Sequence, residues 1–61
     1  MYVIVKAGTH EFVARPGSAK SYTKNVFEAR VFDTEEQAKK DICPVNERVV
    51  NLERALKGAN G

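Results

Sequence analysis

Ala29-Arg30-Val31-Phe32-Asp33-Thr34-Glu35-Glu36-Gln37-Ala38-Lys39-Lys40 is the stretch on which the fold turns. It opens with the alternation of a strand and closes with the signature of a helix N-terminus. Asp33 or Thr34 supplies an oxygen for the exposed N–H groups of a first turn. Thr34 and Gln37 have the capping-box spacing, and Glu35 and Glu36 sit where the helix dipole favours negative charge. The spacing predicts a helix over 34–42 with Ala38 and Ile42 as a narrow apolar stripe and Lys39 and Lys40 facing outward. Pro44 disfavours helical geometry at Cys43 and sets the end.

Working upstream, Phe27, Ala29 and Val31 alternate with Val26, Glu28, Arg30 and Phe32, which predicts a third strand between 22 and 32, most secure over 26–32. Tyr2-Val3-Ile4-Val5 is apolar on both faces and reads as a central strand, buried on both sides or covered by a partner. Gly8-Thr9-His10 offers a turn into Glu11-Phe12-Val13-Ala14-Arg15, so residues 2–15 read as a hairpin. Pro16 to Ser21 is a loop of turn formers and small residues.

Downstream, residues 45–57 support two readings. Val45, Val49, Leu52 and Leu56 recur at helical spacing, with Glu53 and Lys57 as i,i+4 partners and Gly58 as a stop. Glu47-Arg48-Val49-Val50-Asn51-Leu52-Glu53, in contrast, is a β-branched run flanked by charges that suits a fourth strand at the open sheet edge.

Sixty-one residues make one domain, read here as 1–61 with an ordered core over 1–56 and a flexible tail over 57–61. So small a core calls for a staple or a partner. Cys43 is the single cysteine, which excludes a disulfide, and Cys43 with His10 falls short of the four ligands of structural zinc. Oligomerisation is the remaining remedy, and a homodimer is expected. No apolar stretch is long enough for a membrane helix, and Met1–Lys6 lacks the pattern of a signal peptide. The unpaired thiol fits a reducing compartment, so the expected location is cytoplasmic.

The order of Tyr2-Val3-Ile4, a short second strand, Glu28-Ala29-Arg30-Val31-Phe32, the Thr34-Glu35-Glu36-Gln37-Ala38 helix start and Val49-Val50 resembles small uncharacterised proteins of bacteriophages and prophages. The resemblance covers nearly the whole chain and rests on fold-determining positions. It implies a β-β-β-α-β unit, with Val49–Glu53 as a strand, working in a host-cell cytoplasm. It carries no functional residue over.

The chemistry-bearing patterns are sparse. Gly17-Ser18-Ala19-Lys20-Ser21 resembles the end of a phosphate-binding P-loop, but Ala14 and Ala19 stand where glycines are required and a strand follows where a helix should. His10 and Cys43 lack a third group to orient a base, and Glu35, Glu36, Asp41 and Glu47 read as helix-terminal and surface charge. No catalytic residue, cofactor or metal is therefore expected. The basic segment is the one candidate site: Arg15, Lys20 and Lys24 with Tyr22 interleaved could bind phosphates and stack a base. Charge is also uneven, +3 over residues 1–24 and −1 over 25–61, within a net +2.

The resulting expectation is an α+β domain: a three- or four-stranded, mostly antiparallel sheet with one helix on one face. Apolar side chains from Tyr2, Ile4, Phe12, Val26 and Phe32 would remain on the other face and drive self-association. The expected function is non-enzymatic: a phage-like protein that binds and inhibits or modulates a larger host or antiviral-defence macromolecule. The alternative is a nucleic-acid or nucleotide-anion binder using Arg15, Lys20, Tyr22 and Lys24, with sequestration of a nucleotide signal as one form of it.

Overall fold

The computed structural model describes residues 1–42 and 45–60. It is an α+β globule with elements β1 (Tyr2–Lys6), β2 (Phe12–Val13), β3 (Tyr22–Thr23), α1 (Glu35–Asp41), β4 (Glu47–Asn51) and α2 (Leu52–Asn60). The expected β-β-β-α-β order is present, and α2 follows it. The four strands form one antiparallel sheet in the order β3-β2-β1-β4, which makes β1 an inner strand and leaves β3 and β4 at the edges.

Pairing explains why β1 can be apolar on both sides. Along its length it pairs with β4, from Tyr2 opposite Asn51 to Lys6 opposite Glu47. On its other side β2 reaches only as far as Val5 opposite Phe12. Beside Tyr2 the Phe32 segment takes over, exchanging two backbone hydrogen bonds of 2.9 and 2.8 Å. Successive side chains of β1 then enter opposite cores, as strand geometry requires. Val3 and Val5 join Phe12, Val26 and Ala29 beneath Leu52, Ala55 and Leu56 of α2. Ile4 joins Phe32 and Ala38, with Tyr2, Val13, Val49 and Ile42 packed around them, on the α1 side.

Both faces of the sheet are thus covered by a helix of the same chain, which corrects the expected bare apolar face. Tyr2, Ile4 and Phe32 pack on the α1 side, and Phe12 and Val26 on the α2 side. The reason lies in residues 45–57, where the two readings apply in succession. The β-branched run forms β4, and the helical spacing of Leu52, Ala55 and Leu56 begins where that run ends. Asn51 makes the junction: its Oδ1 accepts from Glu53 N–H at 2.9 Å, capping α2 directly from the last residue of β4.

A second correction concerns residues 26–32. The regular strand expected there is replaced by a single 3-10 turn over Val26–Glu28 and by isolated bridges at Ala29 and Phe32. Asn25 causes the change. Its Oδ1 accepts from Phe27 N–H at 3.0 Å, and its carbonyl accepts from Glu28 N–H at 2.9 Å, a cap that competes with strand pairing. The strand that survives upstream is the two-residue β3.

The helix start behaves as the capping run predicts. Thr34 is extended, its Oγ1 accepts from Gln37 N–H at 3.2 Å, and α1 runs from Glu35 to Asp41. Ala38 is fully buried against the sheet, while Lys39 pairs with Glu35 across 3.0 Å on the outer surface. The roles expected of Cys43 and Pro44 at the helix end lie outside the described residues.

Candidate binding surfaces

The basic segment folds through a turn and then a bend. Pro16 and Gly17 occupy the centre of the first: Ser18 N–H donates to Arg15 O at 3.1 Å, and Gly17 has φ +86°, the left-handed value that a type II turn demands at that position. Ser21 then returns its carbonyl to Ala14 N–H at 2.9 Å, which leads the chain into β3.

This geometry divides the expected site. Arg15 lines one hollow with Pro16, Gly17, Ser18 and Glu28, whereas Lys20, Tyr22 and Lys24 line another with Glu11 and Glu28. Three of the four residues are brought together and Arg15 is set apart. Glu28 borders both hollows and is fixed by Thr23 Oγ1, which donates to its Oε2 at 3.1 Å. Two carboxylates among these cations lower the local positive potential that an anion would meet.

Tyr22 is also engaged by its own chain. The side chain is half-buried, its hydroxyl donates to Glu47 Oε2 at 2.6 Å, and Lys6 Nζ lies 5.0 Å from the ring centre. The ring thereby ties β3 to β4 across the α1 side of the sheet, a structural task the sequence did not reveal. A base stacking on the face that Lys6 covers would have to displace it.

Two features were missed by sequence reasoning. The first is Phe27, 78% exposed although its neighbours Val26 and Ala29 are buried. The 3-10 turn points Val26 inward and Phe27 outward, and the Asn25 cap holds it so. Val31, 45% exposed, is a further apolar side chain left uncovered after the turn. The second is a hollow on the α2 side with Val5, Phe12, Val50 and Ala55 for walls and Lys24, Arg48, His10 and Thr9 around it. Spacing could have signalled the first, because Val26, Ala29 and Phe32 lie three apart. The second is assembled by strand register and has no local signature.

Among the described residues no three His, Cys, Asp or Glu side chains are grouped to hold a metal ion. None of the described helices is long and apolar enough to cross a membrane. Comparison with protein-family models, curated proteins and solved structures finds no match to this chain.

Proposed function

We propose that this chain is a non-enzymatic binding protein that engages a larger macromolecule and modulates it. The observation that carries the reading is Phe27. An aromatic ring left 78% exposed on a capped turn between two buried anchors is pre-positioned, and covering it removes apolar surface worth about 1.5–3 kcal/mol. Preorganisation matters because little ordering remains to be done on binding. Taken with the resemblance to small bacteriophage proteins, the partner is a host or antiviral-defence macromolecule. The mixed charge around Lys20 and Lys24 supports protein recognition over anion recognition at that loop.

A second copy of the chain is the other partner we propose, joined through the sheet edge rather than a sheet face. Ala7 N–H donates to Asn46 O at 2.7 Å and Leu52 N–H to Met1 O at 2.8 Å, one just beyond each end of the β1–β4 pair. Antiparallel alternation then turns the backbone groups of Arg48 and Val50 toward β1 and those of Val49 away from it. An antiparallel pairing of two β4 strands centred on Val49 sets Arg48 opposite Val50 and Glu47 opposite Asn51, so no like charges face each other.

Affinity capture from host-cell extract, with the wild type, Phe27→Ser and the triple variant Arg15→Ser/Lys20→Ser/Lys24→Ser as baits, tests the first reading. The loop variant is expected to retain the captured macromolecule and Phe27→Ser to lose it. Loss in the loop variant together with retention in Phe27→Ser would overturn the reading in favour of anion recognition.

A further inference from the structure

We propose that the hollow on the α2 side of the sheet binds a small amphipathic anion: an apolar, ring-sized body carrying a single carboxylate or phosphate head. The site is independent of Phe27 and shares Arg48 and Val50 with the β4 edge.

Register alone builds it. Val5 stands opposite Phe12 on one side and opposite Arg48 on the other, and directly opposed residues of an antiparallel sheet share a face. Phe12, Val5 and Arg48 therefore form one row across β2, β1 and β4. Val50 lies two residues along β4 from Arg48 on that same face, and Ala55 of α2 closes the side. The next row, Val3 opposite Val50, is fully covered at Val3, whereas Val5 and Phe12 retain 8% and 9% exposure. The cover provided by α2 thus thins at the Val5 row, and the hollow of about 400 Å³ opens there. That volume falls in the range of small-molecule sites.

Charge gives the hollow its polarity. Lys24 and Arg48 border it, with the imidazole of His10 and the hydroxyl of Thr9 beside them, and its lining contains no carboxylate. The hollows at the basic loop and at the β4 edge, in contrast, each include Glu28 or Glu35. Among the described residues neither Lys24 nor Arg48 forms an ion pair. Lys24 also borders the loop hollow with Glu11 and Glu28, and Arg48 the β4-edge hollow with Glu35, but here the two cations meet beside an apolar floor in a lining without a carboxylate, which suits a ligand with one anionic end and one apolar end. Arg48 offers the fork that matches a planar carboxylate or a phosphate, and Lys24 a compact second charge. The body of the ligand would rest on Val5, Phe12, Val50 and Ala55. An inorganic anion has no use for that floor, and a neutral ring has none for the cations.

The test is a titration of the full chain with phenyl phosphate, phenylacetate, inorganic phosphate and phenol, followed by NMR. Saturable shifts at Val5, Phe12, Val50 and Ala55 are expected with phenyl phosphate or phenylacetate, at least tenfold tighter than with inorganic phosphate or phenol. Which of the two aryl anions binds better assigns the head group. Lys24→Ser/Arg48→Ser is expected to weaken binding at least tenfold and to flatten its salt dependence. Lys24→Ser alone, at an exposed loop position that cannot disturb β4, is expected to weaken it severalfold. Absence of saturable shifts with both aryl anions would overturn the proposal. So would equal affinity for inorganic phosphate, or unchanged affinity in the Lys24→Ser variant.

Discussion

Thr34 and Asp33 both stand ahead of the first turn of α1 and both carry a capping oxygen, yet it is Thr34 Oγ1 that accepts from Gln37 N–H. The sequence narrowed the cap to these two residues but did not choose, because either oxygen can reach an N–H two or three residues on. The structure makes the choice testable. Thr34→Ala is expected to cost about 1 kcal/mol, a drop of roughly 4–8 °C in melting temperature for a domain of this size. Asp33→Ala is expected to stay within about 0.5 kcal/mol of wild type. Thermal melts of the two variants check this, and equal losses would move the cap. At the same scale Tyr22 shows what composition hides. It was legible as an aromatic among cations, but its bond to Glu47 depends on β3 and β4 lying two strands apart across β2 and β1, which no local pattern encodes.

The segment 26–32 shows how one period can pass for another. Val26 and Phe32 are six residues apart, a separation that satisfies both an alternating strand and a turn repeating every three residues. Only Ala29 and Phe27 discriminate, and the structure buries the first and exposes the second. Asn25 is the local sign of a cap, set among residues whose apolar alternation reads as a strand. The difference predicts opposite outcomes for two phenylalanines. Phe32→Ala, at a side chain 6% exposed and packed with Ile4 and Ala38, is expected to cost about 3–5 kcal/mol. Phe27→Ala is expected to cost less than about 0.5 kcal/mol. Denaturant titration of both variants decides it, and comparable losses would restore a regular strand. The C-terminal segment teaches a related lesson. Each of its sequence readings holds for part of the segment: the strand covers Glu47–Asn51 and stops short of Glu53, the helix begins at Leu52 and leaves out Val45 and Val49, and Asn51 lets one pass into the other without an intervening loop.

For the whole molecule, the sheet, its central strand and the first helix were legible because each rests on local pattern. The second helix layer and the α2-side hollow were not, because they follow from which strands become neighbours. Coverage of both faces moves the expected self-association to the outer edge of β4. Val49→Pro removes an N–H that points away from β1 and so spares the β1–β4 ladder, while Val49→Ala makes a similar loss of packing and keeps the N–H. Sedimentation at micromolar concentration is expected to give a dimer for wild type and Val49→Ala and a monomer for Val49→Pro. A monomer for all three would remove the edge-paired dimer. The two-sided packing of β1 has a mechanical consequence as well. Because the pairing from Tyr2–Asn51 to Lys6–Glu47 closes the cores above and below the sheet together, a pull or a protease that peels β4 away opens both at once. The chain then resists such attack with its global stability rather than yielding layer by layer.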